Sequence, residues 1–350
     1  MSEGEVARAI EDWFRAHARR LPWRETDERG ERDPYHALVS EFMLQQTQVS
    51  RVVDRFSAFV DRFPDVQSLA TAPEEDVLAM WSGLGYYSRA KRLHAAAKAI
   101  VTEYGGRVPK DVEDLRSLPG VGRYTAGAIA SMVFGERAAL VDGNVQRVLV
   151  RLHGEERRLA DRATEAWSWE RAGVLVERCG DPGVFNEGLM ELGATVCTPR
   201  GARCSACPVR AWCVAAASGR QEELPLPKAK ATRCEVWHGV AVCVREGRVL
   251  LIKRPSEGLW ADLWAPPSVE RADRAPTPAE IEALVGASGS PIEGFTHETT
   301  HRRVRFLLWR VELKPTREPG GARWCSVEEV RSLGVSNAHL RIVKAVLGEP

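Results

Sequence analysis

Leu118-Pro-Gly-Val-Gly-Arg-Tyr-Thr-Ala-Gly-Ala128 places two glycines immediately before a stretch of helical character. Because Gly120 and Gly122 have no Cβ, the chain can turn tightly there and its backbone N–H groups can approach a phosphate closely. The positive end of the following helix dipole favours that anion. The segment therefore predicts a helix–hairpin–helix element that holds a DNA backbone without reading its sequence. From the pattern alone, a helix–helix turn that binds nothing is the alternative.

The sequence on both sides of this hairpin follows a helical pattern. Between Val6 and about Ala215, apolar residues recur at the 3.6-residue spacing of helices. The pattern is interrupted at four places, which are Pro64, Ala72-Pro73, Gly105-Gly106 and Pro119-Gly120. This part of the chain therefore predicts an all-α domain over residues 1–216.

The pattern changes beyond this domain. Prolines alternate in Leu224-Pro-Leu-Pro-Lys228, which excludes a helix and favours an extended linker, predicted over residues 217–233. Residues 234–350 then predict an α+β domain. Its predicted strands are Val236 to Val244, Val249 to Lys253 (joined to the first by a hairpin) and Arg303 to Leu313, and its predicted helices are Pro276 to Val285, Ser326 to Leu333 and Ala338 to Leu347.

Composition limits the classes of function. The 350 residues are 44% hydrophobic and 28% charged, a balance typical of a globular protein, and the net charge is only +1. No apolar run approaches the ~18 residues of a membrane span, and the N-terminus lacks a secretory pattern. We expect a cytoplasmic protein of bacterial style, acting as a monomer without a membrane partner. Nucleic-acid binding would have to come from local geometry, because the bulk charge does not favour it.

Four of the eight cysteines form a cluster with the spacing C-x6-C-x2-C-x5-C. In a cytosolic chain such a cluster indicates a metal site and not disulfides. Four thiolates are a full ligand set for a [4Fe–4S] cluster. A structural zinc site is the alternative, although zinc usually favours two close cysteine pairs. The candidate ligands are Cys197, Cys204, Cys207 and Cys213.

Two acidic residues lie in segments suited to breaking an N-glycosidic bond. Asp142, followed by Gly and Asn, suits a helix start, where its carboxylate either caps backbone amides or lies beneath a sugar. Glu41 precedes three apolar residues, and an apolar pocket would keep it protonated, as a general acid requires. The alternative is that Ser40 caps this helix and Glu41 is a first-turn acid. A base such as adenine leaves poorly without protonation, and its departure leaves a cationic sugar that needs a negative partner. Spacing alone does not pair the two acids.

The segment from Leu21 to Ala215 resembles the MutY-type adenine DNA glycosylases. The four cysteines and six motifs carry the resemblance, which implies a [4Fe–4S] cluster in place of zinc. The motifs are L-P-W-R (21–24), S-E-F-M-L-Q-Q-T-Q-V (40–49), G-L-G-Y-Y-S-R-A (83–90), L-P-G-V-G-R-Y-T-A-G-A-I (118–129), V-D-G-N-V-Q-R-V (141–148) and F-N-E-G-L-M-E-L-G (185–193).

The resemblance assigns roles to the matching positions. It implies that Glu41 protonates adenine N7 and that Asp142 stabilises or covalently captures the sugar cation, with Tyr124 and Asn144 in support. The pocket for the flipped adenine would be formed by Trp23, Arg24, Val49 and Glu187. Contacts to the base stack near the opposite 8-oxoguanine would come from Gln46, Thr47, Leu84 and Tyr86. The expected substrate is duplex DNA containing A:8-oxoguanine or A:G mispairs.

Two other functions fit parts of the same pattern. Endonuclease III resembles this chain in its hairpin and cysteine cluster, but it carries a lysine where this chain has Tyr124, and that amine attacks the sugar. A tyrosine cannot form the Schiff base, so we predict a monofunctional glycosylase with weak or no strand cleavage. A non-catalytic lesion sensor is the alternative from another class. The presence of both Glu41 and Asp142 argues against it, because binding alone needs neither acid.

Residues Val236 to Val346 resemble the Nudix-like domain that reads 8-oxoguanine in MutY proteins. Gly258-Leu-Trp-Ala-Asp-Leu-Trp-Ala-Pro266 is similar to one motif of that domain. The dense acidic helix of a hydrolytic Nudix box is missing, so pyrophosphatase activity is not expected. The recognition loop of the family usually reads F-S-H and here reads Phe295, Thr296 and His297. Threonine keeps the hydroxyl but adds a methyl group, and the strength of discrimination between 8-oxoguanine and guanine depends on how that is tolerated. From the residues alone, a threonine at the end of a strand and a buried histidine are the alternative.

Overall fold

The computed structural model of the protein describes residues 2–159, 161–227, 234–299, 301–313, 319–331 and 333–348. The chain divides into two compact units. The helical unit comprises Met1–Thr71 and Arg92–Ala229. The mixed unit comprises Ala72–Lys91 and Lys230–Pro350. The segment 72–91, which the sequence pattern groups with the all-α domain, thus belongs by its contacts to the C-terminal part of the chain.

The described part of the helical unit is built from α-helices, as the 3.6-residue pattern predicts. The helices up to the hairpin are α1 (Glu3–His17), α2 (Pro34–Leu44), α3 (Val49–Arg62), α4 (Val66–Thr71), α5 (Glu74–Met80), α6 (Ser88–Tyr104) and α7 (Val112–Ser117), of which α5 and the first turn of α6 lie in the mixed unit. Those after the hairpin are α8 (Arg123–Phe134), α9 (Gly143–His153), α10 (Arg162–Arg178), α11 (Pro182–Thr195) and α12 (Val214–Ala217). The four predicted breaks at proline and glycine are confirmed. The sequence did not predict the mostly non-helical stretches at 18–33 and 196–213.

Helix α11 is the centre of the helical unit. It contacts α1, α8, α9 and α10, and its buried residues include Phe185, Leu189 and Leu192. These side chains belong to one core cluster with Ile10 of α1 and Leu149 of α9. A helix that is apolar on several sides is stable only when it is surrounded by other elements. The packing therefore brings residues from four distant stretches of sequence to one region.

The mixed unit contains a seven-stranded sheet within the described residues. Its strands are β1 (Cys234–Arg245), β2 (Arg248–Lys253), β3 (Trp264–Ala265), β4 (Ser268–Arg271), β5 (Gly289–Glu298), β6 (Arg302–Val311) and β7 (Arg323–Cys325). The strand order is β3-β2-β1-β6-β5, with β4 paired to β1 and β7 paired to β2. Strands β1 and β6 are parallel, and the other pairs are antiparallel. The hairpin predicted between the first two strands is confirmed by the pairing of Arg245 with Arg248.

Two helices cover opposite faces of this sheet, as the alternation of side chains along β1 requires. Val240 and Val242 pack in one core cluster with residues of α15 (Asn337–Leu347). Ala241 and Cys243, which alternate with them, pack in another cluster with residues of α13 (Pro278–Val285). A short helix, α14 (Val327–Arg331), follows β7. The predicted α+β architecture is therefore confirmed, and all three of its predicted helices are present.

The first part of the predicted linker is packed and is not an extended tether. Leu224 is buried beside Val150, and its carbonyl accepts a hydrogen bond from Arg151 Nε at 2.8 Å. The Leu226 N–H donates to the carbonyl of Arg157 at 2.9 Å. Alternating prolines exclude a helix but do not prevent an extended segment from packing on a helical surface. The end of the predicted linker, residues 228–233, lies outside the described residues. No α-helix in the described part of the chain combines the length and apolar character of a bilayer-crossing segment.

Candidate active site

Glu41 lies in the last half of α2, with only 4% of its surface exposed. Helix α2 begins at Pro34 and is capped by Asp33, which accepts hydrogen bonds from the N–H groups of Tyr35 and His36 at 2.7 and 3.2 Å. The alternative in which Ser40 caps this helix is wrong, because Ser40 is buried within it and donates to the carbonyl of Ala37. Glu41 is therefore not a first-turn acid.

Burial raises the pKa of the Glu41 carboxyl group to about 7. Asp142 and Glu187 raise it further, whereas the Tyr124 hydroxyl and Arg24 lower it. Among the described residues, Glu41 Oε2 has no hydrogen-bond partner. A buried carboxyl group without a full set of donors retains its proton near neutral pH, which is the property required of a general acid.

Tyr124, in the first turn of α8, interacts with both Glu41 and Asp142. Its hydroxyl interacts with the Glu41 carboxyl group and lies 3.2 Å from Met190 Sδ. Burial and the nearby carboxylates raise the pKa of Tyr124 well above its usual range. The hydroxyl therefore stays protonated and can donate a hydrogen bond within the site.

Asp142 caps the N-terminus of α9, as the alternative based on helix capping predicts. Its Oδ1 accepts from the N–H of Val145 at 2.7 Å, and its Oδ2 accepts from Asn144 Nδ2 at 3.1 Å. Burial raises the pKa of Asp142, and the hydrogen bonds from Val145 and Asn144 oppose that shift. The interaction with Glu41 places both carboxyl groups in one site. Capping and a catalytic role are thus compatible at this residue.

Arg147 joins Asn144 to the cysteine-containing loop. Its Nη2 donates to Asn144 Oδ1 at 2.7 Å and to the carbonyl of Gly193 at 2.8 Å. Its Nε donates to the carbonyl of Cys197 at 2.8 Å. Nothing in the local sequence assigns Arg147 a role, although it lies three positions after Asn144 and so on the same face of a helix.

A chain of ion pairs around two buried carboxylates borders the same region. Arg24 Nε lies 2.8 Å from Glu187 Oε1, and Arg24 Nη2 lies 3.1 Å from Glu191 Oε2. Arg32 contacts the second oxygen of Glu187 at 2.5 Å, and Arg19 contacts Glu191 at 2.5 Å. Each carboxylate is therefore shared between two arginines, which fixes the orientation of Arg24. Sequence reasoning missed Arg19, Arg32 and Glu191, because no local pattern pairs residues so far apart.

Two further predicted pocket residues flank this region. Trp23 lies in a short 3-10 turn and is largely buried, with its ring edge-on to Phe56 at 5.5 Å between centroids. Val49 is the first residue of α3 and is half-buried. The helical turns around both residues contact each other, since the 3-10 turn packs against α2 and α3. The burial of Trp23 and Val49 fits a role in the adenine pocket, but it would equally suit residues that only fill the core.

The hairpin between α7 and α8 has the backbone that its glycines predict. Gly120 has a φ of +82°, and a Cβ there would lie 2.6 Å from Cβ of Arg92. Gly122 instead has extended backbone at the N-cap of α8, and a Cβ there would meet nothing within 4 Å. The fold therefore requires glycine at position 120. At position 122 the fold does not require it, and the absent side chain leaves open space in front of the N-terminus of α8.

This difference predicts opposite effects of alanine at the two glycines. Gly120→Ala is expected to lower the free energy of unfolding by about 1–3 kcal/mol, because it forces a side chain into the left-handed region and against Arg92. Gly122→Ala should change stability by less than about 0.5 kcal/mol. The added methyl group of Gly122→Ala would keep a phosphate away from the backbone N–H groups. Binding to duplex DNA should therefore weaken by ~10-fold, as expected for the loss of one hydrogen bond to a phosphate. Urea unfolding and DNA titration measure the two effects. A stable Gly120→Ala protein would contradict the first expectation, and unchanged DNA binding by Gly122→Ala the second.

The residues predicted to contact the base stack differ in exposure. Gln46 and Tyr86 both have positive φ, +54° and +46°, and both are exposed. An exposed tyrosine held in the left-handed region is typical of a functional position. Thr47 is half-buried after α2, whereas Leu84 is only 4% exposed. The side chain of Leu84 thus does not face solvent in this structure.

The F-T-H stretch is part of a strand and is not a loop. Phe295, Thr296 and His297 lie near the end of β5, paired with β6. Phe295 stacks on Phe306 with 4.7 Å between the ring centroids, and the guanidinium of Arg341 lies 4.2 Å from the centroid of Phe295. Thr296, between the two half-buried residues, is exposed. The sequence did not predict β5, because it is an edge strand with a proline, two glycines and little apolar alternation.

The four clustered cysteines line a single pocket next to Arg151. Arg151 Nη1 lies 3.3 Å from Cys197 Sγ, and Cys213 Sγ lies 3.3 Å from the carbonyl of Arg151. No three His, Cys, Asp or Glu side chains in the described ranges converge closely enough to hold one metal ion. A shared pocket beside a guanidinium group nevertheless suits an anionic group bound by several thiolates.

Comparisons with known proteins agree with this arrangement. Residues 39–172 match the HhH-GPD superfamily of base excision DNA repair proteins, and residues 239–345 match the NUDIX domain. Among solved structures, a thermostable thymine-DNA glycosylase is 30% identical, with a TM-score of 0.54 over 62% of this chain and 97% of that one. A non-covalent endonuclease III–DNA complex has a TM-score of 0.51 at 20% identity, covers 63% of this chain and 98% of that one, and shares the fold.

Curated relatives match both parts of the chain together. The adenine DNA glycosylase of Homo sapiens is 34% identical over 96% of this chain and 73% of the human protein. That of Mycobacterium tuberculosis is 39% identical over 81% of this chain and 92% of its own length. Because this similarity runs through the glycosylase region and the Nudix-like region alike, the chain belongs to the adenine DNA glycosylase family and is a DNA glycosylase of base excision repair.

Proposed function

We propose that this protein excises adenine mispaired with 8-oxoguanine in duplex DNA, with A:G as a second substrate. The observation that carries the proposal is the buried, partly unsatisfied carboxyl group of Glu41 beside Asp142 in a chain of this family. A neutral acid and an anion in one site are the two groups that depurination requires.

In the proposed reaction Glu41 donates its proton to N7 of the flipped adenine. Protonation makes the base a better leaving group, and the bond from adenine N9 to the sugar C1′ then breaks with its electron pair on the base. The elevated pKa of about 7 means that a large fraction of the protein carries this proton at neutral pH and that the proton is not held too tightly to be transferred. The Tyr124 hydroxyl would orient the carboxyl group through the hydrogen bond that the two share.

Asp142 would stabilise the cationic sugar or capture it covalently at C1′ before water displaces it. Its Oδ1 is fixed by Val145 and its Oδ2 by Asn144, so its position costs no reorganisation when positive charge develops. Asn144 is itself fixed by Arg147. We therefore assign Asn144 a positioning role toward Asp142.

The base pocket would be formed by Trp23, Arg24, Val49 and Glu187. Glu187 is paired with Arg24 and Arg32 and would accept hydrogen bonds from the exocyclic amine of adenine. Guanine presents a carbonyl at that position, which a carboxylate would repel. This pair of charges supports selection of adenine.

We propose that Cys197, Cys204, Cys207 and Cys213 hold a [4Fe–4S] cluster. When bound, the cluster would cross-link the loop through four thiolates and so hold together a segment with no regular helix longer than one turn. The neighbouring guanidinium of Arg151 would offset its negative charge. No step of the proposed excision needs it.

On the opposite strand, we propose that Gln46 and Tyr86 enter the base stack and that Thr296 contacts 8-oxoguanine. Gln46 and Tyr86 are both exposed and both have backbone in the left-handed region, and the Thr296 side chain is exposed near the end of β5. The threonine hydroxyl can both donate and accept a hydrogen bond, which suits the N7–H and O8 that distinguish the lesion. Thr47 would contact the DNA next to Gln46, and the buried Leu84 would support the turn that carries Tyr86.

The decisive experiment is a single-turnover incubation with a duplex that holds one adenine opposite 8-oxoguanine, followed by hot alkali. Strand cleavage at the adenine only after alkali is the expected result, because a monofunctional enzyme leaves an intact abasic strand. Borohydride added during the reaction should trap no covalent adduct, since Tyr124 replaces the lysine of endonuclease III. No cleavage of this duplex, with cleavage of a duplex containing an oxidised pyrimidine, would overturn the proposal.

The pKa of Glu41 predicts how the excision rate depends on pH. The active form is protonated, so the single-turnover rate should fall about tenfold per pH unit above its pKa of about 7. Asp142 must be ionised, so the rate should also fall in acid, at a pH above the usual range for aspartate because burial raises its pKa. A rate measured across this range that stays constant on the alkaline side would contradict the assignment of Glu41 as the acid.

A further inference from the structure

The exposed Tyr86 belongs to the same compact unit as Thr296, although 210 positions separate them in sequence. The segment 72–91 contains α5, a tight turn and the first turn of α6. Within the described residues, its contacts place it with the C-terminal sheet and helices and not with the helices that flank it in sequence. This grouping raises the question of what orients Tyr86.

The turn that presents Tyr86 is held by two side chains at its ends. Trp81 Nε1 donates to the carbonyl of Gly85 at 3.0 Å. Arg89 Nη2 donates to the carbonyls of Leu84 and Gly85 at 3.0 and 3.1 Å. The Arg89 guanidinium also lies 5.5 Å from the centre of the Tyr86 ring. These bonds fix the backbone just before Tyr86, whose own φ is +46°.

The next residue, Tyr87, connects this turn to the C-terminal part of the chain. Its ring is buried, and its hydroxyl donates a hydrogen bond of 2.7 Å to the carbonyl of Val335, just before α15. Two ion pairs flank this bond, Lys91 with Asp262 and Lys253 with Glu75. Leu78 also packs closely against Gly334. A Cβ at position 334 would lie only 3.2 Å from the Cβ of Leu78.

We propose that Tyr87 is a specificity-determining positioning residue, which orients Tyr86 through its hydrogen bond to Val335 so that Tyr86 and Thr296 approach 8-oxoguanine as parts of one unit. The inference rests on the proposed function, and it adds a residue that touches neither DNA nor adenine. Because the bond joins the turn to a sheet-and-helix body, its loss loosens that attachment without altering Glu41 or Asp142.

Tyr87→Phe removes only the hydroxyl and leaves the buried carbonyl of Val335 without its donor. We expect the preference for A:8-oxoguanine over A:G to fall by ~10-fold, because a less firmly held turn orients Tyr86 less well toward 8-oxoguanine, and the size is that of about one net hydrogen bond. The loss should appear in the Kd, measured with 2′-fluoro-2′-deoxyadenosine as an uncleaved substitute for adenine. The rate at saturating protein should change by less than about twofold, because the acid and anion are untouched.

A matched control and a double-mutant cycle separate positioning from simple destabilisation. Tyr104→Phe makes the same chemical change at an exposed hydroxyl, 3.1 Å from Ser117 Oγ, and should leave the preference unchanged. If Tyr87 acts through Tyr86, Tyr87→Phe should have no further effect on the preference in a Tyr86→Ala background. Urea unfolding of each variant shows whether any difference follows stability.

The outcomes identify which proposal fails. If the wild-type protein excises adenine opposite 8-oxoguanine with a clear preference and Tyr87→Phe keeps that preference, this inference alone is wrong. If Tyr87→Phe lowers the preference as much in the Tyr86→Ala background as in the wild-type protein, this inference is also wrong, because Tyr87 would then act by another route. If the wild-type protein shows no preference for 8-oxoguanine, the proposed function fails and the positioning role fails with it.

Discussion

Replacing Glu41 with glutamine is expected to reduce the single-turnover rate of adenine excision by about 10²–10⁴-fold, the range of general acid catalysis. Glutamine has nearly the same shape and is neutral, as the protonated acid is, so the buried site should tolerate it. It cannot transfer a proton to adenine N7. Alkali-induced cleavage of a duplex with one adenine opposite 8-oxoguanine measures the rate.

Binding and stability distinguish this loss from misfolding. Glu41→Gln should bind the uncleavable duplex as tightly as the wild-type protein and should not unfold at lower urea. Glu103→Gln makes the same change at an exposed residue of α6 and should keep the full rate. An active Glu41→Gln protein would show that another group protonates the base, and the pH profile would then need a different source.

Asp142→Asn is expected to have the second-largest effect, a loss of about 10²–10³-fold in the same rate. Asparagine can still cap α9, because its side-chain oxygen can accept from the Val145 N–H as the carboxylate does. It loses the negative charge that would stabilise or capture the sugar cation, together with the second oxygen that accepts from Asn144 Nδ2. Single-turnover rates with saturating protein isolate this chemical step from DNA binding.

The chain offers a matched control for the capping role of Asp142. Asp111 caps α7 in the same way, accepting from the N–H groups of Glu113 and Asp114 at 2.8 and 3.2 Å, but it is exposed. Asp111→Asn should therefore leave both stability and rate nearly unchanged. If the two variants have equal rates, the contribution of Asp142 is capping only, and its assigned catalytic role is wrong.

Much of this fold could be predicted from local sequence. Periodicity and proline or glycine breaks predicted the helices, since each depends on residues within one or two turns. The β1–β2 hairpin and the helices of the mixed unit were predicted for the same reason. Edge strand β5 and the packing of Leu224 were not, because both depend on distant partners and leave little local pattern.

The features of the candidate site likewise divide into those that local sequence determines and those that depend on tertiary packing. The sequence by itself determined which residue types are present at Glu41, Asp142 and the four cysteines, and the family motifs gave them roles. Only the tertiary structure decided that Glu41 is buried beside Asp142, because a pKa depends on what surrounds a carboxyl group in space. It likewise decided that Arg24 is held by two carboxylates and that Tyr87 reaches Val335, since hydrogen bonds and ion pairs between residues remote in sequence form only after the helices and the sheet have packed.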